Sequence, residues 1–162
     1  MKKIRVISII TTICIMALIF FFSSQTREES SEVSRNVVKK IVDAVSRLTS
    51  GSEKDKKELV DSIHNFIRTA AHFAVFALLG VSSVVMFLSN LNGMRTNAFI
   101  VAAVFCFVYA CSDEIHQIFV DGRAFQLSDI IVDSFGSATG ILAVILSEKI
   151  YLRLTRKGAD KA

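Results

Sequence analysis

Proline and tryptophan are both missing from the 162 residues, and there are only seven glycines and three cysteines. Without proline no helix loses an interior N–H or meets a ring clash, so nothing interrupts long helices. Cys14, Cys106 and Cys111 all lie in apolar stretches and form no CxxC pair. That argues against a disulfide or zinc framework and for buried, inert thiols. Charge is also sparse: 21% of residues are charged against 52% apolar, and the mean hydropathy is +0.50. A soluble domain needs more charge than this to cover its surface. The net charge of +4 lacks the basic–aromatic patch that reads single strands, so no nucleic-acid partner is expected.

By length the chain is one domain, residues 1–162. Four apolar runs dominate it: 6–22, 69–91, 97–112 and 130–146. A membrane span needs about 20 mostly apolar residues, with about 17 as the lower bound. The third run is short, but Ile115, Ile118 and Phe119 extend it. One such run could be a buried core helix; four, with so little soluble sequence to enclose them, predict an all-α polytopic membrane protein. The first run is too long for the core of a signal peptide, and Phe22-Ser23-Ser24-Gln25 lacks an A-x-A-like cleavage site, so a retained anchor is expected. Lys2, Lys3 and Arg5 place the N-terminus inside by the positive-inside rule. Arg95 and the tail with Lys149, Arg153, Arg156 and Lys157 then also fall inside. The expected location is the plasma membrane, multi-pass, with both termini cytoplasmic.

Segment 23–67 is expected outside, its eight basic and eight acidic residues balancing. Val33, Val37, Val38, Ile41, Val42, Val45 and Leu48 form a helical stripe, with Thr26 and Glu29 as a capping box. An extracytoplasmic amphipathic helix between the first and second spans follows, lying on the membrane surface or packed over the bundle.

The ionisable residues of the apolar runs cluster at one face. Arg68 and His72 open the second run. Asp113, Glu114, His116 and Gln117 close the third, Arg123 follows, and Asp129 and Asp133 open the fourth; Ser23, Ser24 and Gln25 end the first. Ionisable groups at membrane depth cost roughly 2.5–3.5 kcal/mol each on insertion scales and mark function by default. Arg68 and His72 are i, i+4 and share a helix face, as do Asp129 and Asp133. Cations at a helix start and anions at a helix end oppose the macrodipole. Arg68 with His72, and Asp113 with Glu114, are each wrong for their own run and right for the other.

Three kinds of chemistry suit this set. Arg68 and Arg123 would hold a phosphate or carboxylate, helped by Gln117, Gln25, Asp129 and Asp133. Asp113, Glu114, His116 and His72 are the acid–base candidates. His72, His116 and two carboxylates also have the donor types of a zinc or manganese site, but no HExxH-type pair exists, and no metal is assigned. A covalent nucleophile at Ser112, Ser128 or Ser134 lacks any elbow or triad motif. Against all three stands a purely structural reading, in which the charges neutralise one another and lock the helices. Gly136 and Gly140 form a GxxxG, read as an internal packing groove, with Gly80, Ala70, Ala71, Ala74 and Ala77 its counterparts on the second run.

At these residues the chain resembles the VanZ-like family of small membrane proteins. Three segments carry the resemblance: Phe22-Ser23-Ser24-Gln25; Ile67-Arg68-Thr69-Ala70-Ala71-His72-Phe73; and Asp113-Glu114-Ile115-His116-Gln117-Ile118-Phe119-Val120-Asp121-Gly122-Arg123 leading to Asp129, Asp133 and Gly136. Asp121 stands where the family often has proline, which implies a looser turn, and Phe76 where tyrosine is expected. The resemblance implies a role at the outer leaflet, since the namesake is associated with reduced sensitivity to teicoplanin, a lipidated glycopeptide acting on cell-wall precursors. It brings no established catalytic mechanism.

The expectation is therefore a cell-envelope protein whose outward-facing polar pocket takes an anionic membrane lipid or a lipid-linked wall precursor. The alternative is a non-enzymatic binding or structural protein. No cofactor is specified by any motif, and the oligomeric state, a homo-oligomer included, is left open.

Overall fold

The computed structural model describes residues 2–25, 53–90 and 95–159, which form four helices and no strand. They are α1 (Lys2–Ser23), α2 (Glu53–Asn90), α3 (Arg95–Gln117) and α4 (Leu127–Ala159). Stretches Lys3–Ser23, Glu58–Asn90, Arg95–Gln117 and Leu127–Arg156 are each long and apolar enough to cross a membrane. The protein is a multi-pass all-α membrane protein. The valine-striped helix expected over 33–48 lies outside the described residues.

The start of the second span differs most from the sequence reading. The second span was expected to open at 69, with 53–67 as part of a separate outer segment. Instead α2 is a single helix of 38 residues, about 57 Å long at 1.5 Å per residue, well beyond a hydrocarbon layer of about 30 Å. Leu59, Val60, Ile63 and Ile67 continue the apolar stripe backward, and residues 53–79 hold neither glycine nor proline to stop the helix. Arg68 and His72 are therefore mid-helix residues. The macrodipole acts only in the first and last turns, so the dipole mismatch expected for this pair does not arise. For Asp113 and Glu114 it does, because α3 ends at Gln117.

The bundle is built around α2, which packs against the other three helices, most extensively α4. Glycines make that seam possible. A Cβ on Gly136 would overlap the Phe73 backbone, one on Gly140 the Ala77 carbonyl oxygen, and one on Gly80 the Ser137 carbonyl oxygen. The GxxxG is thus an internal groove, and the two backbones approach as closely as small-residue seams allow.

One apolar cluster joins Ile19, Phe76, Leu79, Cys106 and Ala110; a second joins Val84, Ala102 and Ile141. Many large apolar side chains face outward, among them Ile7, Ile10, Val104, Phe107, Val108, Leu142 and Leu146. In water that pattern would aggregate; in lipid it is the ordinary outer surface. Cys106 is buried and Cys111 half-buried, as inert thiols should be, but Cys14 is exposed on the lipid side. Lipid asks only that a residue be apolar, so an apolar run does not decide which thiol turns inward.

Several hydroxyls within the spans return to their own helices: Ser8 donates to the Arg5 carbonyl at 2.9 Å, Thr12 to Ser8 at 2.9 Å and Ser82 to Leu79 at 3.1 Å. That is the standard way to carry a hydroxyl through hydrocarbon. Away from the polar face, Arg95 and Glu148 pair across α3 and α4. Replacing Gly140 with leucine should lower unfolding stability by about 1–3 kcal/mol through overpacking, whereas lipid-facing Leu142→Ala should change it by less than about 0.5 kcal/mol. Thermal unfolding in lipid nanodiscs measures both.

Candidate functional site

The polar face is assembled from the ends of α1 and α3, the start of α4, the turn between α3 and α4, and the middle of α2. The turn sets its geometry. Arg123 N–H donates to the Val120 carbonyl at 3.1 Å, and Gly122 takes φ 76° while Asp121 keeps a negative φ. Those are type II features, which need glycine at the third position. The turn is closed rather than loose: proline at 121 would reduce unfolded-state entropy, but Gly122 supplies the shape. Arg123 is thereby folded back against the helix ends.

Gln117, buried at the end of α3, links the parts. Its Nε2 donates to Asp113 Oδ2 at 3.0 Å. Its Oε1 accepts from Arg68 at 2.9 Å and from Arg123 at 3.2 Å. Ser23 of α1 donates to the same Asp113 oxygen at 2.7 Å. Arg68 also reaches Asp129 at 3.4 Å, and Arg123 donates to the Phe22 carbonyl at 3.4 Å. All four helices thus meet in one hydrogen-bonded network. Two guanidinium groups share one carbonyl oxygen, an arrangement unfavourable for like charges. Burial, followed by the positive charge of Arg68, pulls the Arg123 guanidinium down to about 10, although Asp113, Asp129 and Glu114 oppose that.

Beside the network lies a cavity of about 360 Å³, lined by residues that include Arg68, His72, Arg123, Ser128, Asp129 and Asp133. Its rim includes Asn65, in the part of α2 beyond the expected span. His72 Nδ1 lies 3.6 Å from Asp133 Oδ1. Of the four acid–base candidates read from sequence, only His72 lines this cavity. Asp113 and Glu114 are buried behind it, 4% and 1% exposed, and Glu114 accepts from the Gln126 backbone N–H.

His116 turns away: its Nε2 is 3.1 Å from Ser24 Oγ and its ring stacks on Phe20 at 4.3 Å. Gln25 continues the turn after α1, its N–H on the Phe22 carbonyl at 3.4 Å, and does not line the cavity. Gln117 has its amide occupied by protein groups, which makes it an organiser of the arginines. Sequence reasoning gave no role to Ser23, to the Gln126 N–H, or to Tyr109, whose hydroxyl donates to the Met16 carbonyl at 2.6 Å and ties α3 to α1. Only for Ser23 was there a signal, its place at the same membrane face.

Two arginines face a polar cavity that Asp129 and Asp133 also line; Arg68 pairs with Asp129, while Arg123 donates to the Gln117 and Phe22 carbonyl oxygens. No curated protein and no solved structure matches the chain. The VanZ/LLP1 family model matches residues 8–148, a stretch that takes in every residue of the network and of the cavity, and the chain belongs to that family.

Proposed function

We propose that the cavity binds the anionic headgroup of a membrane lipid or lipid-linked cell-wall precursor on the outer side of the plasma membrane. Family membership fits a cell-envelope membrane protein linked to glycopeptide resistance, and teicoplanin is the compound to test first. The observation that carries the reading is the pair Arg68 and Arg123, both lining one cavity and both directed at one neutral amide oxygen. A phosphate or carboxylate would receive charge-assisted hydrogen bonds from both, worth roughly twice a neutral bond.

Supporting the lipid choice, the lining residues are flanked by exposed Phe66, Phe119, Phe125 and Leu127, with Phe119 80% exposed. Large apolar side chains exposed there suit burial at the boundary between headgroups and acyl chains. Supporting the orientation, Lys3, Arg5, Arg95 and Lys149 belong to the helix ends opposite the cavity, the ends that the positive-inside rule favours on the cytoplasmic side.

A second reading has its own observation: the Ser23–Asp113–Gln117–arginine network ties all four helices with protein partners alone. In that case the charges lock the bundle and dock a membrane partner without chemistry.

Under the first reading, Arg68→Ala and Arg123→Ala each abolish the teicoplanin phenotype while membrane levels stay normal. An unchanged phenotype in both variants excludes it. Exchanging Arg68 and Asp129 together separates the two readings. Activity regained in the swapped variant, after loss in each single variant, means that mutual neutralisation suffices; continued loss means that the cationic group is needed at position 68.

A further inference from the structure

On the amide-nitrogen side of Gln117, three side chains from three helices converge: His72 of α2, Asp113 of α3 and Asp133 of α4. One donor atom from each lies within 4.8 Å of the other two. Both carboxylates are almost wholly buried, Asp113 at 4% and Asp133 at 2% exposed. Asp113 Oδ1 and Asp133 Oδ1 are enclosed with no hydrogen-bond partner among the described residues. Asp133 Oδ1 is the atom nearest His72 Nδ1, so that lone pair faces the cluster. Asp113 has its other oxygen fixed by Ser23 and Gln117, which sets the plane of the carboxylate and leaves Oδ1 as its free donor.

Two buried carboxylates brought together are costly unless both charges are compensated; the His72 imidazole at 3.6 Å reaches Asp133 alone, and a bound cation would serve both. Local charge gives its size. Four carboxyl groups, Asp113, Glu114, Asp129 and Asp133, stand in this region with two arginines, a formal excess of two negative charges when all are ionised and His72 is neutral. We propose that His72, Asp113 and Asp133 form a three-ligand site for one divalent cation of the zinc or manganese kind, buried beside the cavity and open toward it.

The donor set fits. One imidazole nitrogen and two carboxylate oxygens suit zinc and manganese, and are too few oxygens for calcium, which takes 6–8. Metal–ligand bonds of about 2.0–2.2 Å hold neighbouring donors roughly 3–4 Å apart, so rotamer shifts of an ångström or less close the site. His72 and Asp133 line the cavity, which leaves the remaining coordination positions on that side. Three protein ligands with an open position is the pattern of reactive rather than structural zinc sites. Ser23 and Gln117 then act as outer groups that orient a ligating carboxylate. The cation site does not depend on the anion reading and is tested with the metal alone.

The full chain, purified without an affinity tag into lipid nanodiscs and stripped by chelator, is equilibrated with Zn²⁺ alone or Mn²⁺ alone. One equivalent of at least one of these metals per chain is expected by elemental mass spectrometry. Asp133→Asn and His72→Gln should each weaken binding at least about tenfold, while Glu148→Gln at the opposite end of the bundle keeps the full equivalent. Pulsed paramagnetic resonance of the Mn²⁺-loaded wild-type chain should show coupling to a single imidazole nitrogen, a readout that needs no variant to fold. Less than a tenth of an equivalent in the wild type overturns the proposal. So does binding that survives both ligand substitutions, or a metal-free wild type that Asp133→Asn makes more stable, which would mean that a shared proton joins the two aspartates.

Discussion

A carboxylate or guanidinium carried to the edge of the hydrocarbon layer must find its partner inside the protein, because lipid offers none. That requirement shapes the polar face of this bundle. Asp113, Glu114, Gln117, Asp133 and Ser23 are all buried, and each is reached from another element. Gln117 is the residue on which the arrangement turns. As a neutral amide it both donates and accepts, so it can bind a carboxylate on one side and two guanidinium groups on the other without adding charge.

The scaffold allows this because its other contacts are so plain. The α2–α4 seam is held by backbone approach at Gly80, Gly136 and Gly140, and the lipid-facing surface is largely apolar. The seam fixes the height of Arg68 and His72 on α2 relative to Asp129 and Asp133 on α4, since both pairs lie within about two turns of Gly136 or its contact Phe73. A cavity lined by Arg68, Arg123, Asp129 and Asp133 is the outcome. An anionic headgroup is the occupant proposed for it.

Much of this was legible in the sequence. Four apolar runs gave the spans, because lipid demands length and apolarity and little else. Charges of both signs gathered at one side of the runs gave the polar face, because their cost within the runs is high. The GxxxG gave the seam. What stayed hidden was pairing across helices. Spacing of i, i+4 tells which residues share a face of one helix, not what faces them, so Arg68 meets Asp129 and Gln117 where a partnership with Asp113 and Glu114 was expected. His116, three residues from Asp113, is rotated enough to meet Phe20 and Ser24 instead of the cavity. The start of α2 at Glu53 was hidden for another reason. Its first turns are too polar to count as a span, and only the stripe Leu59, Val60, Ile63 and Ile67, with no glycine or proline to break it, hinted that the helix ran on.

The central claim is that Gln117 couples the arginines of the cavity to the buried Asp113. A double-mutant cycle on unfolding stability in nanodiscs, pairing Gln117→Ala with Arg68→Ala, tests it most directly. Groups sharing a buried, charge-assisted hydrogen bond should show a coupling energy of about 1–2 kcal/mol. Additive effects of the two substitutions, within about 0.3 kcal/mol, would contradict the account.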